Sequence, residues 1–160
     1  MISRLLLLLL LGQAPSAPAA LDVSGLPNGR RLTVADLQKL PAETIADGGH
    51  KARGVRLDRI LTQLGFVSGP MGKEIPVRDK RSGWKQVVRA TASDGFQAVF
   101  SCAELMESMG PTRAYVLFEV DGKPLPAEVG PLRLQVPTDR EPSRSLRQLI
   151  KLEVLDLRGH

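Results

Sequence analysis

The chain has a single cysteine, Cys102, in the segment ATASDGFQAVFSCAEL. A thiol at this place could ligate a metal, act as a nucleophile, or pack as a small apolar side chain. Both chemical roles need a thiolate, which a neighbouring histidine or a helix N-terminus would favour by lowering the thiol pKa. Ser101 caps a predicted helix here, but the histidines, His50 and His160, are distant in sequence. We therefore expect Cys102 to be a buried core residue.

The second candidate is His50, in the segment ADGGHKARG. This segment predicts a polar, glycine-containing loop between a short strand and a helix, and such loops commonly carry binding residues. A metal site would need more His, Cys or Asp at ligand spacing than the segment supplies. Two interpretations stay open: a histidine that contacts a ligand, and an ordinary surface histidine.

A third candidate is the basic run in DREPSRSLRQLIK. Arg140, Arg144, Arg147 and Lys151 recur at the spacing of one helical face. A helical turn is predicted to begin at Pro142 and to end before the last strand, so two or three of these side chains should cluster. Such a cluster could bind phosphate or a polarised heterocycle, or it could be a solvated basic face.

The elements that must position these candidates are mostly short strands. Alternating apolar residues predict them at LDVSGL, RLT, AETIA, KQVVRATA, FQAVFS, AYVLFEV, LRLQVP and LIKLEVLDL. Asp94-Gly95 marks a hairpin and Asp121-Gly122 a further turn. Many short strands with a few short helices indicate a single α+β domain with mixed or antiparallel pairing.

Three helices are predicted. Thr33 caps the first, with Asp36 as its capping-box partner, and Ser101 with Glu104 does the same for the third. The second covers VRLDRILTQLG, whose final glycine suits a left-handed cap, and the third covers SCAELMESMG. A long loop is predicted over residues 66–85.

Residues 1–19 are predicted to be a secretory signal peptide. Arg4 precedes seven consecutive leucines, and Ala17-Pro18-Ala19 fits the small-x-small cleavage rule. The leucine run is far shorter than the ~20 residues that span a bilayer. Residues 20–160 are therefore expected to form one periplasmic or secreted domain that is not embedded in a membrane after cleavage.

The charge of the mature chain is modest. Removal of Arg4 with the signal peptide leaves 21 basic and 17 acidic residues, a net charge of +4. An exported protein rarely meets nucleic acid, and one tryptophan, Trp84, does not make a stacking platform for bases. We expect no nucleic-acid partner. A single cysteine allows no internal disulfide, so the fold depends on its core.

The order of these segments resembles the molybdopterin-binding domain of the sulfite oxidase fold, in its small exported form. The matching segments cover most of residues 21–155: LDVSGL, LTVADLQKLP, GVRLDRILTQLG, VRATASDGFQAVFSCAEL, LFEVDGKPLPAEVGPLRLQVP and SLRQLIKLEVL. The resemblance implies mixed β-sheets with short helices, around a pocket that holds the pterin of a molybdenum cofactor.

In the enzymes that this chain resembles, a cysteine thiolate binds the molybdenum. The corresponding segment here is ETIADGGHKARG, residues 43–54, and it contains no cysteine. Cys102 lies two elements later and does not match the family's ligand position. The resemblance therefore argues against sulfite-oxidase chemistry and favours a non-catalytic protein that binds a pterin without molybdenum.

The resemblance also suggests which residues contact the pterin. A pterin donates from its 2-amino and N3–H edge to a carboxylate, accepts at its 4-oxo oxygen from arginine, and stacks on an aromatic ring. Arg147 matches the basic residue of the family's closing motif. The expected ligand-binding residues are His50, Arg53, Trp84, Asp139, Arg140, Arg144 and Arg147.

The function that this resemblance implies is that of a periplasmic pterin-binding protein, which reports its ligand to the periplasmic domain of a membrane receptor. Two alternatives stay open. One is a molybdenum-cofactor oxidoreductase or its subunit, working with a redox partner. The other is a structural or partner-binding domain whose pocket holds no ligand.

Overall fold

The structure, a computed structural model, describes residues 20–66, 85–107 and 109–157. The predicted signal peptide, Trp84 and most of the predicted long loop lie outside these residues. Within the described residues, ten strands form two five-stranded sheets, and three short helices pack with them around one main core. The predicted α+β class with mixed pairing is confirmed.

The first sheet, sheet 1, has the last strand of the chain, β10, at its centre. It contains β1 (Ala20–Ser24), β2 (Arg31–Thr33), β5 (Gln86–Ala92), β6 (Gln97–Ser101) and β10 (Leu149–Asp156). The strand order is β2-β1-β10-β5-β6, in which β1 and β10 pair in parallel and the other neighbours are antiparallel. The predicted hairpin joins β5 to β6, with Gly95 at a φ of 86°.

The second sheet, sheet 2, is antiparallel. It contains β3 (Ala42–Asp47), β4 (His50–Arg56), β7 (Tyr115–Val120), β8 (Lys123–Pro124) and β9 (Arg133–Gln135). β4 lies between β3 and β7, and the far edge of β7 pairs with both β8 and β9. The Asp121-Gly122 turn joins β7 to β8 with positive φ at both residues, as a tight hairpin requires.

The helices are α1 (Val34–Gln38), α2 (Leu57–Gln63) and α3 (Cys102–Leu105). Both predicted capping boxes are present. The Asp36 amide donates to Thr33 Oγ1 at 3.2 Å, and the Ser101 amide donates to Glu104 Oε1 at 2.8 Å. Gly65, just after α2, has the predicted positive φ, 92°.

The main core lies between the two sheets and beneath α1 and α2. Cys102 is fully buried there, as predicted, and burial raises the pKa of its thiol to about 12. A smaller apolar cluster covers the opposite face of sheet 2, which we call its outer face; it contains Ala52, Tyr115 and Leu117, with Ile45 and Leu125 packed against them. Each face of sheet 2 therefore has its own apolar layer.

The prediction of a loop over ADGGHKARG is wrong. Only Gly48 and Gly49 form a turn, and His50–Arg56 is the strand β4. The glycine that favours a loop in the sequence, Gly54, is required by close packing, because a Cβ there would lie 2.4 Å from the carbonyl oxygen of Val116. The second helix consequently begins after β4, not inside it.

Two further boundaries differ from the prediction. The helix predicted over SCAELMESMG ends at Leu105, because the next residue, Met106, is extended with ψ at 128°. In the basic run the only helical turn among the described residues is the predicted one at Pro142–Arg144, a single 3-10 turn. Lys151 lies in β10, so no helix carries the four basic side chains on one face.

Candidate functional site

The outer face of sheet 2 holds a cavity of about 290 Å3 at the tip of the β3–β4 hairpin. Its polar wall consists of the Asp47–Arg133 ion pair and a hydrogen-bonded His50–Asp121 pair, described below. Its apolar lining comes from Val120 at the end of β7 and from Leu125 and Val129 in the loop before β9. Because small-molecule pockets range upward from about 300 Å3, this volume suits a ligand of one or two rings.

The first ion pair joins Asp47 and Arg133 across the wall of this cavity. Arg133 donates from Nη1 to Asp47 Oδ2 at 2.7 Å and from Nη2 to Asp47 Oδ1 at 3.3 Å. Nη2 also donates to Gln135 Oε1. Both charged side chains are largely buried, 17% exposed for the aspartate and 23% for the arginine. This partial desolvation strengthens the pair relative to a surface ion pair.

The second pair joins His50 and Asp121. His50 Nδ1 lies 2.6 Å from Asp121 Oδ2, while Asp121 Oδ1 accepts a hydrogen bond from the amide of Lys51 at 2.9 Å. The Lys51 amide, followed by His50, holds the pKa of Asp121 below its usual value. Because Nδ1 of His50 is engaged, Nε2 is its remaining polar atom, and it has no hydrogen-bond partner within the described ranges.

Arg53 does not belong to this cavity. It lies three residues beyond His50 on β4, and an odd separation places two strand residues on opposite faces. Its guanidinium is 3.8 Å from Glu119 Oε2 and 5.8 Å from the ring centre of Phe118, a residue of the main core. The structure therefore separates two residues that the sequence places in one binding loop.

Asp139 and Arg144 are brought together, but their groups bind each other. Arg144 donates to both carboxylate oxygens of Asp139, at 2.8 and 2.7 Å, and its Nη1 lies 3.2 Å from Glu104 Oε2. Its guanidinium also lies 4.8 Å from the ring centre of Phe100. This cluster ties the 3-10 turn to α3 and to the main core.

Arg140 and Arg147 are exposed, and neither forms an ion pair with any of the described residues. Arg147 is nevertheless close to the cavity in the fold. Leu134 and Leu146 form an antiparallel bridge, which places Arg147 opposite Arg133 one position along. Trp84, the predicted stacking residue, lies outside the described residues.

Three charged residues of the cavity are not among the predicted ones: Asp47, Asp121 and Arg133. Both aspartates precede a glycine, and an Asp-Gly pair predicts a turn, so the sequence pattern gives no sign of a binding role for either aspartate. Arg133 lies in a predicted strand with no local sign of its partner. The Asp121-Gly122 turn falls in a segment that matches the family, and Asp47 and His50 fall in residues 43–54, the segment that corresponds to the family's metal-ligand position.

The residues that the structure describes do not fit the metal part of a molybdenum cofactor. Its only cysteine is buried in the main core, where the thiol pKa of about 12 leaves it protonated at neutral pH. In the part of the chain that the structure describes, no group of three or more His, Cys, Asp or Glu side chains is placed to hold a metal ion. The pterin part is different, because the cavity offers a carboxylate and a guanidinium side by side.

The lowered pKa values of Asp121 and Asp139 predict a loss of stability in acid. Hydrogen bonds from Arg144 lower the pKa of Asp139 in the folded state, and the Lys51 amide lowers that of Asp121. A carboxyl group whose folded pKa is depressed stabilises the fold above its unfolded pKa, about 3.9, and loses this contribution as the pH falls through the folded pKa. We expect the melting temperature to be constant from pH 7 to 5 and to fall between pH 4 and 2.

The measurement is a series of thermal melts across that range. The variant Asp139→Asn has one titrating carboxylate fewer, so its melting temperature should fall less steeply below pH 4 than that of the unmodified chain. Equal slopes for the two proteins would mean that the Asp139–Arg144 pair does not contribute to the acid response.

Comparison with known proteins supports the fold. The chain is similar to a solved structure of the sulfane dehydrogenase SoxCD from Paracoccus pantotrophus, with a TM-score of 0.63 and 18% sequence identity. The match covers 86% of this chain and 38% of that chain, so this chain spans well under half the length of its neighbour. At this identity the likeness shows that the two proteins share a fold, and it shows the fold alone.

No protein-family model matches the chain, and no curated protein matches it. Among the described residues, no helix has the length and apolar character needed to cross a membrane.

Proposed function

We propose that this chain is a periplasmic, non-catalytic protein that binds a pterin without molybdenum, in the cavity at the β3–β4 hairpin tip. The observation that carries this proposal is the Asp47–Arg133 pair beside a small cavity with an apolar lining. The similarity of fold to a dehydrogenase of the sulfite oxidase type supports a pterin as the class of ligand.

The two charged groups match the two edges of a pterin. A carboxylate has about four acceptor positions, of which Arg133 occupies two on Asp47, so the aspartate can still accept from the 2-amino and N3–H groups. A guanidinium has five N–H donors, and three of those on Arg133 are engaged by Asp47 and Gln135. The remaining donors can bind the 4-oxo oxygen.

The other cavity residues complete this arrangement. Val120, Leu125 and Val129 supply the apolar surface on which the ring face would pack. Arg147, exposed and opposite Arg133, would meet an anionic substituent on the ring. The sequence offers the same chemistry from Asp139 and Arg140, whereas the cavity offers it from Asp47 and Arg133.

The non-catalytic part of the proposal depends on the missing thiolate. Soft thiolate ligands are the ones that hold molybdenum in the enzymes that the chain resembles, and Cys102 is buried in the main core.

Signalling to a receptor is proposed because a bound ligand would tie the β3–β4 hairpin to the loop before β9. Such a contact changes the surface presented at this edge of sheet 2.

The test is a fluorescence titration of the purified protein with 6-hydroxymethylpterin. We expect Asp47→Asn to weaken binding at least about tenfold, because it removes a charge-assisted hydrogen bond to the ligand. The matched control is Asp22→Asn on sheet 1, an exposed aspartate 3.8 Å from its arginine partner, which should leave the affinity unchanged.

A second variant, Val129→Trp, fills the cavity without removing the ion pair and should also abolish binding. Failure of the unmodified protein to bind the pterin, or equal affinity in all three variants, would contradict the proposal. Molybdenum at one ion per chain, measured by mass spectrometry, would instead support the oxidoreductase alternative.

A further inference from the structure

A second cavity lies between β2, α1 and α2. Its volume is about 540 Å3, and it shares no lining residue with the cavity on sheet 2. Its floor consists of Leu32, Ile60 and Leu64, which are at most 3% exposed and belong to the main core, so the floor is rigid. Its accessible apolar surface comes mainly from the less buried Leu40 and Pro41.

The rim of this cavity carries two cations. Arg30 is exposed and forms no ion pair with any residue in the described ranges. Lys39 is 76% exposed in its side chain, and its Nζ forms an exposed ion pair with Asp36 Oδ1 at 3.5 Å. Gln63 adds an exposed amide.

The one carboxylate of the rim, Asp36, is already engaged. Its Oδ2 accepts from the amide and the hydroxyl of Thr33, at 3.0 and 2.7 Å, within the capping box of α1. These bonds keep it ionised, since the Thr33 amide lowers its pKa most. Two cations against one fixed anion leave the rim with a net charge of +1.

We propose that this cavity binds an amphipathic organic monoanion, a medium-chain carboxylate whose apolar body covers the floor and whose head group meets Arg30 and Lys39. The charge of the rim favours one negative charge over two. The apolar floor favours a hydrocarbon body over a sugar or a nucleotide, whose hydroxyl groups would lose their hydrogen bonds to water there. This site is independent of the proposed pterin site.

The test compares octanoate with octanol by heteronuclear NMR titration of the full mature chain. Octanoate should shift the amide signals of α1 and α2, and it should bind about tenfold more tightly than octanol, because only octanoate forms charge-assisted hydrogen bonds. Equal affinity for the two probes, no binding of octanoate, or shifts confined to sheet 2 would overturn the proposal.

Variants then separate the site from general surface binding. The double change Arg30→Gln and Lys39→Gln should reduce octanoate affinity about tenfold and leave octanol affinity unchanged. Gln63→Trp, on the exposed side of α2, should block the mouth and reduce both. Arg140→Gln removes another exposed arginine elsewhere and should change neither affinity. An effect as large as that of the double variant would overturn the proposal.

Discussion

Replacing Gly25 with alanine is expected to lower the free energy of unfolding by about 4 kcal/mol. Gly25 follows β1, where the chain leaves sheet 1 beside β10. Its φ is +76°, and a Cβ would lie 1.9 Å from the carbonyl oxygen of Val154. Left-handed strain and a backbone clash therefore act together, and relieving the clash would require β1 to separate from its parallel partner.

The matched control is Gly122→Ala. Gly122 has the same φ, +76°, but an added Cβ would meet nothing within 4 Å. This variant should lose only the left-handed strain, about 1 kcal/mol. Urea denaturation of both variants measures the difference. Equal losses would show that the close approach of Gly25 to Val154 does not constrain the folded state.

The second large effect is expected from Arg144→Ala. Arg144 is bound by both oxygens of Asp139 and by Glu104, and it lies over the ring of Phe100. Its removal leaves two carboxylates that have lost their shared partner, with the Asp139 side chain only 16% exposed. We expect the free energy of unfolding to fall by about 3 kcal/mol.

Arg140→Ala is the control for this change, because Arg140 is an exposed arginine in the same segment without an ion pair among the described residues. Its effect should stay within about 0.5 kcal/mol. Arg144→Lys keeps the charge but loses the two-pronged geometry, so it should fall between the two. A stable Arg144→Ala protein that no longer binds the pterin would instead assign Arg144 to the ligand, as the sequence suggests.

Local chemistry made much of the fold predictable. The capping boxes at Thr33 and Ser101, the Asp94-Gly95 hairpin and the final strand depend on residues that are near each other in sequence. The alternation in the last strand, for example, gives Leu152 and Val154 to the core. A bulge between Leu149 and Lys151 breaks the alternation, so that Leu149 is buried and Ile150 is exposed. The burial of Cys102 was predictable for the same reason, since it follows a capped helix start on the core side.

The candidate site was less predictable because its contacts are long-range. Asp47 and Arg133 belong to strands that are separated by most of the chain, and nothing near either residue indicates the other. Arg144 illustrates the opposite error. Its residue type and spacing favour ligand binding, yet the fold supplies Asp139 and Glu104 as partners within the protein. Side-chain type shows what a residue can bind, and only the fold shows what is available to it.

The parallel pairing of β1 with β10 has a consequence for how the protein is made. Asp22 pairs with Lys151, so the first described strand meets its partner in the last one. β10 also joins β1 to β5, so sheet 1 cannot form completely until β10, which ends at Asp156, has left the ribosome. Folding of sheet 1 must therefore follow synthesis of β10, slowly as expected for distant strand pairs, and the strands made earlier keep their apolar faces exposed to chaperones until then.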